Sequence, residues 1–284
     1  MFNFRKKAGI FGEQVTDFLE AFNYGLRNQQ LVQDAASGRI DAHFYNCSLT
    51  SVFQPVVHAA SGRTVGHHGL LRASGADGAS LSPWGVFSFA VVDHELVDLD
   101  RLCRTLHVLN YYRTAPERDM VYLNVQLRLL QVVGRDFGRA FENRLERLGL
   151  GPGQVAIILP QDLLAHGDLL EVAITDYQAL GYRVVASYPS SPGQWPTAGT
   201  VRADVIRVDG RDFATVADAQ KAVHAIHGNG ALALAQKLET TEQLERAREA
   251  GFDLLQGHAA GVTVSEPLPP IRHHDGVLQT FQLW

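Results

Sequence analysis

The sequence predicts an α/β fold, a TIM-like (β/α)8 barrel with an N-terminal helical extension. Short, wholly apolar segments recur along the chain, and amphipathic segments with helical periodicity separate them. Strands that are apolar on both faces and alternate with helices are typical of a parallel sheet covered by helices. The length of 284 residues fits one such barrel plus an extension. A doubly wound open sheet is the alternative, but no glycine-rich phosphate-binding fingerprint follows the first strand.

The chain divides into three predicted parts. Residues 1–50 form the extension, residues 51–268 the barrel domain, and residues 269–284 an irregular tail. The extension is predicted to be one helix that opens near Gly12 and runs on to about Ser37. Apolar residues at helical spacing give this helix a single stripe: Val15, Phe18, Leu19, Phe22 and Leu26. The stripe fits either packing on the barrel exterior or an element that joins a second subunit or an upstream domain.

The barrel is predicted to begin with a hairpin over residues 53–72, with its turn at Ser61-Gly62. Helices then start at Pro83 and near Val97. Further strands are predicted at residues 120–125, 155–159, 183–186, 205–208, 231–235 and 252–255. Further helices are predicted at residues 127–148, 167–180, 213–227 and 241–250. In a barrel of this kind the chemistry lies at the carboxyl ends of the strands, so those positions are the candidate site.

Composition argues against several classes of protein: nucleic-acid-binding, membrane-bound and disulfide-rich. The net charge of −5 and the pI near 6.2 favour neither a nucleic acid nor an anionic membrane as partner. Two cysteines in a chain of this length do not make a disulfide scaffold. No apolar run approaches the ~18 residues of a membrane span, and the first residues lack a signal-peptide core. A cytoplasmic protein is expected.

Several short motifs follow one another along the chain in a fixed order and at regular spacing. The second strand of the hairpin ends in His68-Gly69-Leu70-Leu71-Arg72. Other matching segments are Gln54-Pro55, Leu81-Ser82-Pro83, Leu99-Asp100, Asn124, Asp204, Arg207-Val208-Asp209, Glu239-Thr240 and Gln256-Gly257. Over residues 51–268 this pattern resembles the bacterial EAL domains, the phosphodiesterases and receptors of cyclic di-GMP. The resemblance implies a barrel of the EAL type, in which the hairpin strand carries Glu-Ala-Leu-Leu-Arg and its Glu binds a catalytic metal.

The same resemblance implies that the catalytic positions are degenerate. His68, Ile158, Gln161 and Gln236 stand where the family has metal-site glutamates, Ser187 and Tyr188 replace two aspartates, and Arg207 replaces a lysine. Hydrolysis with two metal ions needs several carboxylates to offset about four positive charges. We therefore expect no catalytic residue, no metal, no cofactor and no phosphodiesterase activity.

Two roles fit such a barrel. The favoured one is a regulatory scaffold in bacterial signalling that binds a partner protein or forms a homodimer. The alternative is a receptor that binds cyclic di-GMP without metal ions. For that case the candidate ligand-binding residues are Gln54, Leu70, Arg72, Asn124, Asp209, Glu239, Gln256 and Pro267. The third hypothesis is an enzyme with altered chemistry. It is the weakest, because the sequence offers no replacement nucleophile with an adjacent base.

Overall fold

Eight strands close into a barrel in the computed structural model of the chain. The structure describes residues 7–24, 28–115, 119–191, 195 and 201–267, so the predicted tail at residues 269–284 lies outside the described residues. Within the described ranges, no helix combines the length and the apolarity that crossing a membrane requires.

The strands and helices follow the predicted alternation. The strands are β1 (Gln29–Gln33), β2 (Ile40–Phe44), β3 (Cys47–His58), β4 (Thr64–Ser74), β5 (Ser80–Leu81), β6 (Met120–Asn124), β7 (Val155–Leu159), β8 (Arg183–Ser187), β9 (Val205–Asp209), β10 (Leu232–Gln236) and β11 (Leu254–Gln256). The helices are α1 (Lys7–Asn23), α2 (Pro83–Phe89), α3 (Asp93–Thr114), α4 (Leu127–Val133), α5 (Arg139–Arg147), α6 (Gly167–Ala179), α7 (Val216–His227) and α8 (Thr241–Ala250).

The barrel consists of β3, β4 and β6 to β11, and β3 runs against its neighbours. It pairs antiparallel with both β4 and β11, while the other neighbouring strands of the barrel are parallel. The turn between β3 and β4 contains Gly62 at φ +66°, and a hairpin this tight can only join antiparallel strands. The predicted barrel and the predicted hairpin at its start are confirmed, and the parallel sheet implied by the strand–helix alternation holds for β4 and β6 to β11.

The predicted helix of the extension ends early. It stops at Asn23, and residues 29–33, which the sequence predicts to continue it, form β1; with β2, this strand makes a hairpin that extends the sheet beside β3. Leu26 of the predicted stripe lies outside the described residues. The Asn23 carboxamide closes the helix end, because it donates to the Leu31 carbonyl oxygen and accepts from the Leu31 N–H, both at 2.8 Å. From Gln29 to Gln33 the backbone pairs antiparallel with β2, a ladder that a helix cannot make. The prediction of one continuous helix is therefore wrong.

The helix predicted over residues 127–148 is two helices. The first, α4, ends at Gly134, which has φ +73°, and Asp136 at φ +55° completes the turn into α5. Glycine adopts such backbone angles without steric cost, so it ends helices readily. The break lets α5 turn its buried residues Phe141 and Leu145 toward the core.

Apolar side chains fill the barrel interior. This inner cluster consists of Val56, Met120, Tyr122, Ala156, Ile158, Val185, Val205, Leu234 and Leu254. A second and larger apolar cluster lies between the strands and the surrounding helices. The interior is thus a packed core rather than a channel, and only the layer above it is free to carry polar side chains.

Gly66 on β4 marks a point where two strands of the barrel approach closely. A Cβ at residue 66 would overlap the Met120 carbonyl oxygen and lie 3.0 Å from the Tyr122 ring. Gly167, at the start of α6, has open space where its Cβ would be.

We expect Gly66→Ala to lower the free energy of unfolding by about 3 kcal/mol or more, because backbone rather than a flexible side chain blocks the added methyl group. Gly167→Ala is the matched control and should leave stability unchanged or slightly higher. Urea unfolding followed by circular dichroism measures both. Equal stability of the two variants would contradict the packing described for β4 and β6.

Candidate functional site at the barrel mouth

A layer of polar side chains covers the apolar interior at the carboxyl ends of the parallel strands. Most of them lie two residues from an inward-facing residue of the same strand. The layer comprises Gln54, His68, Asn124, Ser187, Arg207, Asp209, Gln236 and Gln256. We call this layer the barrel mouth. It collects predicted site residues from seven different strands.

His68 is the centre of a hydrogen-bonded network at the mouth. Its Nε2 lies 2.9 Å from the Asn124 amide nitrogen, and its Nδ1 lies 3.0 Å from the Gln256 amide nitrogen. The Gln256 amide also donates to Gln54 Oε1 at 2.9 Å. A neutral imidazole has one lone pair, so one of the two carboxamides that face it presents its oxygen instead. The network ties four side chains from four strands together.

The imidazole of His68 is neutral at physiological pH. Burial disfavours the charged form, and the nearby Arg207 and His107 add to the effect, so the pKa of His68 falls to about 3. A neutral and fully engaged histidine has no proton to give at neutral pH.

The adjacent His67 points away from the mouth. Its Nδ1 lies 3.2 Å from the Tyr111 hydroxyl on α3, and burial lowers the pKa of His67 to about 4. Successive strand residues face opposite sides of a sheet, as the sequence predicts for this pair.

Arg207 brings a positive charge into the mouth from β9. Its Nε donates to Ser187 Oγ at 2.8 Å, and Ser187 Oγ in turn donates to the Leu159 carbonyl oxygen at 2.7 Å. Burial lowers the pKa of Arg207 to about 10, which still leaves it charged at neutral pH. Among the described side chains, no carboxylate forms an ion pair with this guanidinium.

Asp209 is the one carboxylate of the mouth layer, and two cations hold it. Arg211 donates to its two oxygens from Nε at 3.0 Å and from Nη2 at 2.8 Å, and Lys237 Nζ donates to Oδ2 at 3.0 Å. Burial alone would raise the pKa of Asp209, but these hydrogen bonds outweigh it and lower the pKa to about 2. The sequence predicted Asp209 and missed Arg211, although its position two residues later on a short turn is a usable signal.

Arg72, Leu70 and Asn124 line a side cleft of the mouth, a cavity of about 130 Å³ against α2 and α3. Arg72 is exposed, and its Nη1 donates to its neighbour's carbonyl, Leu71 O, at 2.9 Å. Beneath the cleft, Asp100 and Arg104 form a buried ion pair at 2.6 Å. The structure thus brings three of the predicted ligand residues to one cavity. Sequence reasoning missed Arg104, which the four-residue spacing from Asp100 on a helix could have indicated.

The remaining predicted residues lie apart from this network. Glu239 is exposed and accepts from His258 Nδ1 at 2.7 Å, and Pro267 is buried. Gln161 is exposed at the start of a short turn after β7, and Tyr188 is buried in the outer core. Ile158 belongs to the inner apolar cluster.

The mouth does not gather acidic, histidine and cysteine side chains into one cluster. Within the ranges that the structure describes, no three side chains of histidine, cysteine, aspartate or glutamate are placed together to hold a metal ion.

Known proteins share this architecture. The EAL domain profile matches residues 38–261, and no curated protein matches the chain. The EAL domain of FimX from Pseudomonas aeruginosa, solved with cyclic di-GMP, is 16% identical with a TM-score of 0.63 over 76% of this chain and 91% of its own. PaMucR phosphodiesterase, also a cyclic di-GMP complex, is 18% identical with a TM-score of 0.59 over 76% of this chain and 96% of its own. Klebsiella pneumoniae BlrP1, solved with manganese and cyclic di-GMP, is 16% identical with a TM-score of 0.63 over 89% of this chain and 68% of its own.

We expect the stability of the protein to fall as the pH drops from about 6.5 toward 4. The pKa values of His67, His68 and His107 are about 4, 3 and 4 in the folded state, so the unfolded chain binds protons that the folded chain does not. Each such histidine contributes a slope of about 1.4 kcal/mol per pH unit within that window.

His68→Gln should reduce the slope of the unfolding free energy against pH by the contribution of one titrating group, about 1.4 kcal/mol per pH unit. Asn124→Ala is the control, since it removes a contact of the imidazole but no titrating group. Urea unfolding at intervals between pH 4.5 and 6.5 measures the slopes. If His68→Gln and the unmodified protein gave the same slope, the buried neutral imidazole would be ruled out.

Proposed function

The chain belongs to the EAL domain family, and from this premise we propose that it is a non-catalytic member, a regulatory domain of bacterial signalling that binds a protein partner. The observation that carries the proposal is the composition of the barrel mouth. Neutral side chains dominate the mouth, and its one carboxylate is already held by two cations. The partner is another protein or a second copy of this chain.

The residues of the mouth do not fit a pair of divalent cations. Magnesium and manganese prefer anionic oxygen ligands, and two such ions bring about four positive charges. His68 uses both ring nitrogens within the network, and Ile158 has no ligand atom. Asp209 alone cannot balance that charge while Arg211 and Lys237 hold it. Arg207 adds a further positive charge, so cations would be repelled rather than seated.

An exposed apolar surface supports a protein partner. Four large apolar side chains in and after α2 are exposed: Trp84, Phe89, Val91 and Val92. The exposed fractions of Trp84 and Val91 are 76% and 75%. Arg128 fixes the following loop by donating to the Ala90 and Val91 carbonyl oxygens at 3.1 and 2.9 Å. Aromatic residues on ordered surfaces of this kind are enriched at protein interfaces.

A receptor for cyclic di-GMP is the second candidate. Structures that share this fold include complexes with cyclic di-GMP. In this chain, Arg72 offers a free guanidinium edge to a phosphate beside the cavity that Leu70 and Asn124 line. The charge of Arg207 at the mouth would also favour an anion.

We expect no hydrolysis of cyclic di-GMP by the purified protein with either magnesium or manganese, because the mouth has too few anionic ligands for the ions. Chromatography of the nucleotide after prolonged incubation measures the linear product, with a known active EAL phosphodiesterase as positive control. Turnover that Asn124→Ala abolishes would refute the proposal, since it would place the reaction at this mouth.

Thermal melting separates the scaffold from the receptor. A scaffold should melt at the same temperature with and without cyclic di-GMP, whereas a ligand at 100 times its Kd would stabilise the folded state by about 2.7 kcal/mol. An upward shift that Arg72→Ala loses would favour the receptor. Arg63→Ala is the matched control, because Arg63 is exposed in the turn at the opposite end of the hairpin.

A further inference from the structure

A second cavity, remote from the mouth, lies where the extension packs on the barrel. It has a volume of about 160 Å³ between α1, β1, α3 and α5. Its lining includes Phe18, Phe22, Gln29, Asp98, Arg144 and Arg147. We call this cavity the arginine pocket.

The arginines of the pocket lie against aromatic rings of α1. The Arg144 guanidinium carbon is 5.4 Å from the centre of the Phe22 ring, and that of Arg147 is 5.4 Å from the centre of the Phe18 ring. A guanidinium within about 6 Å of a ring centre is attracted by the ring, and this contact does not satisfy the hydrogen-bonding capacity of its N–H groups. These donors therefore remain available for an acceptor in the cavity.

Two polar atoms of the pocket are buried without a hydrogen-bond partner, Arg144 Nη1 and Gln29 Oε1. An unpaired buried polar group costs about 1–3 kcal/mol, and more when it is charged. The oxygen and nitrogen of a carboxamide are assigned by their surroundings, so Gln29 can turn its NH₂ toward an acceptor. One bound acceptor group would then satisfy both side chains.

Positive charge at the pocket exceeds negative charge. After burial, the neighbouring guanidinium groups of Arg101 and Arg104 are the main reason that the pKa of Arg144 is lowered to about 10. Asp98 opposes this effect, while Asp100 is already paired with Arg104. Among the described residues, Arg101, Arg144 and Arg147 form no ion pair at all.

We propose that the arginine pocket binds a phosphate group, either as inorganic phosphate or as the phosphoryl end of a small metabolite. Phosphate accepts the planar N–H pairs of a guanidinium in a bidentate manner. The pocket is below the roughly 300 Å³ of sites for drug-sized ligands, so it admits the phosphate group and not a nucleotide. Because Gln29 comes from β1 of the extension and the arginines from α5, the bound phosphate fastens the extension to the barrel. This site is independent of the function proposed for the mouth.

Isothermal titration of the full chain with inorganic phosphate, against chloride at matched ionic strength, tests the proposal. We expect saturable binding with one site and a raised melting temperature, and at least tenfold weaker binding in Arg144→Gln. Arg139→Gln is the matched control on the same helix, since its side chain is 63% exposed and lies outside the pocket. A parallel titration with glycerol phosphate separates the sources: tighter binding than inorganic phosphate identifies a metabolite's phosphoryl group.

Three results would overturn the proposal. They are the absence of phosphate-specific binding, an equal loss of binding in Arg144→Gln and Arg139→Gln, and a loss of binding in Arg207→Gln, which would place the anion at the mouth. Circular dichroism establishes that each variant is folded, and Arg147→Gln replaces Arg144→Gln if the latter does not fold. Hydrogen exchange should show α1 amides protected more strongly in phosphate than in chloride, in the unmodified protein only.

Discussion

Charge balance in a partly buried space is the constraint on which the candidate site depends. Seven strands direct side chains into one small volume above an apolar core, where an unbalanced charge is costly. Side chains of the chain itself meet most of this constraint: Asp209 is neutralised by Arg211 and Lys237, and His68 stays uncharged. Arg207 is the exception, and its charge gives the mouth a preference for anions over cations.

Carboxamide side chains form hydrogen bonds that join separate strands and helices of this chain. At the mouth, those of Gln54, Asn124 and Gln256 link to one imidazole. Outside the barrel, the Asn110 carboxamide donates to the Ile40 carbonyl oxygen at 2.7 Å and accepts from the Ile40 N–H at 2.9 Å. It takes the place of a strand neighbour where β2 leaves β3. A carboxamide can both donate and accept without charge, so it closes strand edges and polar layers without a counter-ion.

The sequence predicted the site residues better than their partners. It indicated the opposite faces of His67 and His68, because strand periodicity fixes side-chain direction. It named Asn124 and Gln256 as site candidates through the family resemblance. It did not indicate that Gln54 meets Gln256, 202 residues later, since that contact depends on the closure of β3 against β11. It placed Tyr188 at the site, whereas the structure buries that ring in the outer core. Residues at strand ends leave the regular period, so their direction is set by packing.

By itself, the amino-acid sequence determined the alternation of strands and helices, the barrel and the shortage of acidic residues at the strand ends, because periodicity and residue type are local properties. Only the tertiary structure decided the closure of the barrel by β3 against β11, the end of α1 at Asn23 and the pairing of Asp209 with Lys237. It alone also brought Phe22 of α1 over Arg144 of α5. These features join residues that are distant in the chain, and the packing free energy of the whole domain selects among them where local preference cannot.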